Sequence, residues 1–440
     1  MICMKLFVFI FTVFAFAANS TAQNALSPSS VTEFSVGSMK VLVKKRTGSP
    51  TVAVGLVTRG GARNQTEQNA GIENLTWSVA TEGSRKFPRQ SLRKELARTG
   101  TTLSGAAGYD LGGITMVSTT QNFERSWAIF TDAALNPTFL DADVSLIRES
   151  TLAALRNRTA SPESALSLLE ERVVYSGHPY AASPSGTMDT VSKFTAADLR
   201  AFHKSTMQSS RLLLVVVGNV DPEEIKKLAT ASFGSLPRGD YAERPLEALK
   251  FAKPTVDVSQ RNLSTNYVKG VFAAPPLSSS DYYAMRVAVA LLQSRVYQEV
   301  RVKRNLSYAP NAEMGNLAAN TANIYVTAID ANQAIDVMLK EIADLRTNAV
   351  SDDDFVGVPG FFLTTYFIDQ ETNAAQAGDL ARYEAFGGGW RRSFEFLDKI
   401  RGVTSADIKT VANKYMKDIR FVVVGDPKAI DNAVFLQPIK

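Results

Sequence analysis

One segment of the sequence occurs twice, and this repeat constrains the fold more than any other feature. The first copy reads FTAADL and contains Thr195, and the second reads VTSADI and contains Thr404, 209 residues later. Each copy leads through a short helical pattern into an apolar run that ends at a glycine, Gly218 or Gly425, and these glycines are 207 residues apart. The sequence therefore predicts two homologous units in tandem.

Each copy of the repeat has the local chemistry of a helix start followed by a buried strand. Thr195 and Thr404 are N-cap candidates, and an aspartate three residues later favours the positive end of the helix dipole. The apolar runs LLLVVV and FVVV are typical of buried strands. Strands at 39–43 and 52–57, on either side of the turn residues TGSP, predict a hairpin. Helical patterns cover 71–81, 91–99, 141–158 and 164–176.

These elements come in clusters rather than in strict strand–helix alternation, which favours an α+β fold. We expect two units, each a mainly antiparallel sheet covered by helices, that together form a clamshell. Prolines and a glycine at 237, 239, 245 and 254 interrupt any regular pattern and predict a linker over 236–262. The units would then cover residues 23–235 and 263–440.

The first 22 residues are predicted to be a signal peptide. Lys5 is their only charged residue, an apolar run follows from 6 to 18, and small residues at 20 and 22 predict cleavage before Gln23. The alternative is an uncleaved N-terminal anchor. No later segment approaches 18 apolar residues, so we expect no transmembrane span after signal removal and an exported protein, periplasmic or extracellular.

Composition excludes several classes of site. The chain has one cysteine, Cys3, and two histidines, His178 and His203, too few for a Cys₄, Cys₂His₂ or His₃ zinc site. We expect His178 to cap a turn and His203 to be a solvated helix residue. The net charge of +5 over 440 residues includes no polybasic stretch, so nucleic acid is not an expected partner.

A series of motifs resembles the pitrilysin/insulinase zinc peptidases, which include processing peptidases and core subunits of the respiratory cytochrome complex. In chain order these motifs are GGARN at 60–64, GIENL at 71–75, EGSRKFP at 82–88, GHPY at 177–180, GT at 186–187, SRVYQEVR at 294–301, RNLSY at 304–308 and YEAFG at 383–387. Active members carry the zinc motif H-x-x-E-H after the glycine matched here by Gly71.

That catalytic motif is missing here. The resemblance places the two zinc-binding histidines at Asn74 and Ser78, the catalytic glutamate at Trp77 and the third zinc ligand at Ala154. These side chains cannot hold zinc, and an indole cannot act as a base. We therefore expect no catalytic residue and no metal in this chain alone.

The resemblance also implies a substrate-binding role for Arg304 and Tyr308, within RNLSY, where asparagine replaces the family's usual glycine. An arginine can hold a peptide carbonyl or carboxylate, and a phenol can donate a hydrogen bond to a developing oxyanion. In two-chain members one chain carries this pair and a homologous zinc-binding subunit carries the metal. The expected partner is such a subunit, with zinc on it, and the expected substrate is a peptide or unfolded polypeptide.

Three alternatives remain open from the sequence. Arg304 and Tyr308 could be an ordinary surface arginine and a tyrosine packed at a strand edge. The protein could be a peptide-holding or structural scaffold without a proteolytic role, or an active homodimer with an unrecognised nucleophile.

Overall fold

The computed structural model describes residues 27–439, so the predicted signal peptide lies outside the described residues. The first unit contains a six-stranded sheet in the order β1-β2-β6-β3-β5-β4. Only β2 and β6 are parallel. The strands are β1 (Val31–Val36), β2 (Met39–Lys45), β3 (Thr51–Arg59), β4 (Thr102–Ala107), β5 (Leu111–Thr119) and β6 (Leu212–Gly218).

Eight described α-helices belong to this unit. They are α1 (Ile72–Ala80), α2 (Arg89–Thr99), α3 (Phe123–Leu135), α4 (Asp141–Asn157), α5 (Pro162–Val174), α6 (Met188–Lys193), α7 (Ala196–Thr206) and α8 (Pro222–Phe233).

The second unit repeats this architecture around a five-stranded sheet in the order β7-β11-β8-β10-β9. Its strands are β7 (Thr255–Gln260), β8 (Asn266–Ala273), β9 (Asn311–Met314), β10 (Thr321–Ala328) and β11 (Arg420–Gly425). Its described helices are α9 (Tyr282–Val296), α10 (Ala331–Thr347), α11 (Asp352–Val356), α12 (Val358–Asp369), α13 (Asn373–Phe386), α14 (Phe396–Arg401), α15 (Ser405–Tyr415) and α16 (Asn432–Phe435). Here too a single pair of neighbouring strands is parallel, in this sheet β7 and β11. The predicted α+β fold of two homologous units is confirmed.

The helix starts predicted from the repeat are present in both units. The backbone N–H of Thr195 donates to the Asp198 carboxylate at 2.8 Å, and that of Thr404 donates to Asp407 at 2.9 Å. Each threonine hydroxyl in turn accepts from the backbone N–H of its aspartate. These reciprocal bonds satisfy backbone donors that a helix start leaves free.

The predicted hairpin between β2 and β3 is wrong, because β6 lies between them. All seven residues of β6 are buried, so this strand has apolar side chains on both faces and needs a central place in the sheet. The connection from β2 to β3 passes over the end of β6, where the N–H of Arg46 donates to the carbonyl of Gly218 at 2.8 Å.

The predicted linker is shorter than the sequence suggests, since residues 255–260 of it form β7. The rest of the linker is packed rather than free. Leu249 is buried, and it contacts a cluster that includes Tyr175 and Tyr180 of the first unit and Val271 of the second.

Each sheet has two apolar faces, and the second face is covered by a helix of the other unit. In the first sheet, Leu213, Val215 and Val217 of β6 pack against α13, and the opposite face packs against helices of its own unit. In the second sheet, Val422 and Val424 pack against α5 of the first unit. Through this reciprocal exchange of helices, the two units of the clamshell pack against each other.

Polar contacts follow the same exchange. The side-chain amide of Asn373, at the start of α13, donates to the carbonyl of Thr51 at 2.6 Å. Lys269 on β8 pairs with Glu170 on α5 at 2.8 Å. Within residues 27–439, no helix combines the length and the hydropathy that crossing a membrane requires.

Lys44 on β2 is enclosed where α13 meets the first sheet. Its side chain is buried, and its Nζ lies 4.8 Å from the centre of the Phe394 ring. Burial lowers the pKa of Lys44 to about 8, with Arg46 acting in the same direction and Asp379 against it. At neutral pH the fold therefore bears the cost of burying a charge.

Replacing Lys44 by Met should stabilise the protein at pH 7, by up to about 3 kcal/mol, because it removes this buried charge. Between pH 8 and 10.5 the unfolded chain keeps a proton that folded Lys44 has lost, so the wild type should gain stability as pH rises. The variant should lack that gain. Urea unfolding at pH 7 and pH 10 measures both effects, and Lys45→Met, at the exposed next position, is the control. Equal pH dependence in wild type and Lys44→Met would contradict the prediction.

Candidate functional site

Helix α1 carries two of the positions that the sequence resemblance assigns to zinc ligands, and β4 lies directly against it. The side-chain carbonyl of Asn74 accepts a hydrogen bond from the backbone N–H of Ala107 at 3.0 Å. The hydroxyl of Ser78 donates to the carbonyl of Asn74, at 2.8 Å, and also lies 3.2 Å from that of Gly105. A Cβ on Gly105 would lie 2.0 Å from the carbonyl oxygen of Trp77, so glycine is needed for this close approach. Asn74 and Ser78 thus fasten α1 to the edge strand.

Trp77, which the resemblance places where active members have the catalytic glutamate, is fully buried in the core of the first unit. Its ring meets His203 on α7 edge to face, with 5.8 Å between ring centres. The expectation that His203 is solvated is wrong, because α7 packs on α1 and leaves the histidine only 9% exposed. Nε2 of His203 lies 2.8 Å from the carbonyl oxygen of Ala134, and because a carbonyl can only accept, Nε2 is the donor. Burial lowers the pKa of His203, and the bond to Ala134 opposes this effect.

The remaining acidic neighbours do not complete a metal site. Ala154 on α4 is exposed, as is Glu149, and Glu73 on α1 is fully buried. Glu73 is already engaged by the Thr58 hydroxyl and by Arg211 at 3.3 Å. Among residues 27–439 no group of three or more His, Cys, Asp or Glu side chains is placed to hold a metal ion. The donor set at this position does not fit zinc.

The structure places His178 as the sequence predicts. Its Nδ1 accepts a hydrogen bond from the backbone N–H of Tyr180 at 3.1 Å, which caps the short turn that begins at Pro179.

Arg304 and Tyr308 lie on the exposed surface of the second unit, after α9 has continued as a π-helical turn over Tyr297–Lys303. Tyr308 is 82% exposed. Asn305 has a φ of +50°, in the left-handed region that glycine and asparagine adopt most readily. This explains how asparagine can replace the family's glycine. Ser307 is buried next to Tyr308 and anchors the segment.

The side chain that contacts Tyr308 is Arg301, not Arg304. The guanidinium of Arg301 lies 3.8 Å from the centre of the Tyr308 ring and also donates to the carbonyl oxygen of Tyr308. Arg304 instead pairs with Glu299 and donates to its backbone carbonyl at 3.0 Å. We call Arg301, Arg304 and Tyr308 the Tyr308 cluster. Its cations and its aromatic ring face solvent, and this is a surface that a peptide or a second chain can contact.

Sequence reasoning missed Arg301, although it ends the segment SRVYQEVR that contributed to the resemblance. The signal that could have found Arg301 was its spacing of seven residues from Tyr308 in the sequence. An arginine at this spacing can stack on the tyrosine ring when the residues between them turn back, and the π-helical turn over Tyr297–Lys303 makes them do so.

Two family models match the chain. Residues 40–186 match the insulinase family of peptidases, M16, and residues 193–358 match the M16 peptidase inactive domain. An uncharacterised zinc protease of Rickettsia felis is 20% identical over 376 residues, which is 84% of this chain and 90% of that protein.

Solved structures share the fold over nearly the whole chain. The M16 peptidase inactive domain from Pseudomonas fluorescens aligns with a TM-score of 0.83 and 19% identity, over 90% of this chain and 98% of that one. A chain of Complex III2 from Candida albicans aligns with a TM-score of 0.75 and 18% identity, over 90% and 96% of the two chains.

The packing of His203 on Trp77 makes a measurable prediction. Below about pH 6.5 the unfolded chain takes up a proton that buried His203 resists, so the free energy of unfolding should fall on acidification. His203→Gln, whose amide can still donate to Ala134, should reduce this fall between pH 7 and 5.5. Lys204→Gln, at the exposed next position of the same helix, should leave it unchanged. Thermal unfolding across this pH range gives the comparison, and identical slopes for the two variants would refute the prediction.

Proposed function

Because the chain belongs to the insulinase (M16) family and is an inactive-type member of it, we propose that it is the non-catalytic, substrate-binding subunit of an exported zinc peptidase built from two chains. In this proposal a homologous subunit with an intact H-x-x-E-H motif holds the zinc and carries out hydrolysis. This chain contributes the Tyr308 cluster to the joint site.

The observation that carries the proposal is a contrast between two parts of one chain. At the zinc position, Asn74, Trp77 and Ser78 serve packing and hydrogen bonding within the unit. The Tyr308 cluster does not serve internal packing in this way, because Tyr308 is 82% exposed and contributes little to the core of its own chain. Side chains held at the surface in this way suit contact with another molecule.

Each member of the cluster has a distinct role in the proposal. The Tyr308 phenol donates a hydrogen bond to the oxygen of the scissile carbonyl as negative charge develops there. Arg301 positions that ring by stacking on it and by bonding to the Tyr308 carbonyl. Arg304, about 42% exposed, holds a carbonyl or carboxylate of an extended peptide once it exchanges its pairing with Glu299.

Residues 1–22 support export through their signal-peptide pattern. The relative in Candida albicans belongs to a multi-subunit assembly, Complex III2, so relatives of this fold do work alongside partner chains.

The first test is affinity purification of the tagged protein from its native cell envelope, followed by mass spectrometry. We expect a stoichiometric partner of similar length that carries H-x-x-E-H. Recovery of the chain alone would contradict the two-chain proposal.

The second test measures peptide hydrolysis by that complex. Tyr308→Phe removes only the phenol oxygen and should lower kcat by roughly 10²-fold, the scale of losing one oxyanion donor. Arg301→Ala should lower kcat similarly because the ring loses its support, and Arg304→Ala should act mainly on KM. Arg391→Ala removes another exposed arginine that stacks on an aromatic ring, Trp390, and should change neither parameter. Unchanged kcat in Tyr308→Phe would refute the mechanism while leaving the pairing intact.

A scaffold without a proteolytic role is the second candidate, and the likeness to a chain of Complex III2 favours it. A partner set that contains no H-x-x-E-H chain would favour this reading.

A further inference from the structure

Two neighbouring hollows lie along helix α9, and no residue of the Tyr308 cluster lines either of them. The first, of about 630 Å³, lies between residues 108–111 of the first unit and helices α9, α12 and α13 of the second. The second, of about 700 Å³, lies between α9, β9 and the segment that joins α11 to α12. Arg286 and Phe362 line both hollows, so these two side chains mark where the hollows meet.

Most charges around the hollows are compensated. Arg382 pairs with Asp379, and Arg295 pairs with Asp344 at 2.6 Å and with Asp354 at 2.8 Å. Glu313 accepts a hydrogen bond from the Asn323 side chain at 3.2 Å. Asp353 and Asp369 lie on exposed parts of the rim, where water solvates them.

Arg286 differs from these groups because it is half-buried and has no acidic partner among the side chains that the structure describes, which do not include Asp352. None of those described carboxylates lies within 4.0 Å of its guanidinium, which donates one hydrogen bond, to the carbonyl of Met314 at 3.2 Å. Among the same side chains its Nε is buried without a partner, and so is the Nε of Arg382 on the other wall. Donors left unpaired away from water are costly, and a carboxylate can satisfy a guanidinium through two parallel hydrogen bonds.

The remaining walls are apolar and aromatic. Tyr366 and Phe396 stack with 5.8 Å between ring centres, and Phe362 packs on Phe396 at 6.1 Å. Within α12, all of whose residues are described, Phe362 is the only buried side chain. The helix therefore covers the hollows with few packing contacts to the rest of the protein. The first hollow has the size of small-ligand sites, which span roughly 300–1,000 Å³.

We propose that these joined hollows bind a carboxylate carried on an apolar body, with the carboxylate on Arg286 and the apolar part against Phe362 and Tyr366. Two sources share this chemistry: a peptide that ends in an apolar residue, and a fatty acid. This site is separate from the Tyr308 cluster and needs no partner subunit, so it stands or falls independently of the proposed function.

Isothermal titration calorimetry of the purified protein at pH 7 tests the site with four probes. These are acetyl-Gly-Gly-Phe with a free carboxylate, the same peptide as its C-terminal amide, octanoate and octanol. We expect at least one carboxylate to bind tenfold or more tightly than its uncharged counterpart. A stronger response to the peptide identifies a peptide terminus as the ligand, and a stronger response to octanoate identifies a fatty acid.

Three variants complete the test. Arg286→Met should weaken carboxylate binding at least tenfold and leave the uncharged probes unaffected, whereas Arg295→Met, which removes a compensated charge from the same walls, should change binding less than threefold. A Cβ on Gly378 of α13, which lines the first hollow, would meet nothing within 4 Å, so a side chain can begin there, and Gly378→Phe is chosen to occupy the hollow. This variant should abolish binding without lowering the melting temperature. Equal binding of charged and uncharged probes, unaltered binding in Arg286→Met, or no binding of any probe would overturn the proposal.

Discussion

The exchange of helices α5 and α13 between the two units is the constraint on which the rest of the structure depends. Strand β6 is apolar on both faces, so its sheet cannot be completed by its own unit alone, and α13 covers the remaining face. Burying one aliphatic side chain contributes about 1.5–3 kcal/mol, and several are buried at each exchange. The two shells are therefore fixed relative to each other. This arrangement sets residues 108–111 opposite α9 and α13, while Tyr308, after the π-helical turn that follows α9, stays exposed to solvent.

The positions that the sequence resemblance assigns to a zinc site have structural roles in this chain. In the helix pattern that binds zinc, polar side chains must point toward a water-filled site. Here the same face of α1 is hydrogen-bonded to β4 through Asn74 and Ser78, and Trp77 is locked against His203. Restoring the histidines alone would therefore not restore a site, because Ala154 cannot serve as a third ligand and Trp77 cannot act as a base.

Local chemistry was predictable from the sequence, and long-range pairing was not. The threonine caps and the apolar strands β6 and β11 depend on neighbouring residues, so the repeat revealed them correctly. The arrangement of β2 and β3 depends on a strand more than 150 residues away in sequence, and no local pattern shows that insertion. The burial of His203 depends on another helix, α1. At the candidate site, Arg301 was missed because the curl that brings it onto Tyr308 is a tertiary feature.

The helix exchange also has a consequence for how the chain is made. Helix α13 begins at Asn373, 155 residues after β6 ends at Gly218. During synthesis from the amino end, the chain between β6 and α13 is made after the first sheet. Until α13 has been added, the apolar face formed by Leu213, Val215 and Val217 stays exposed to water. During that interval the nascent chain exposes an apolar β-sheet surface that is prone to aggregation. A chaperone that binds this surface would therefore help the incomplete first unit more than the finished protein.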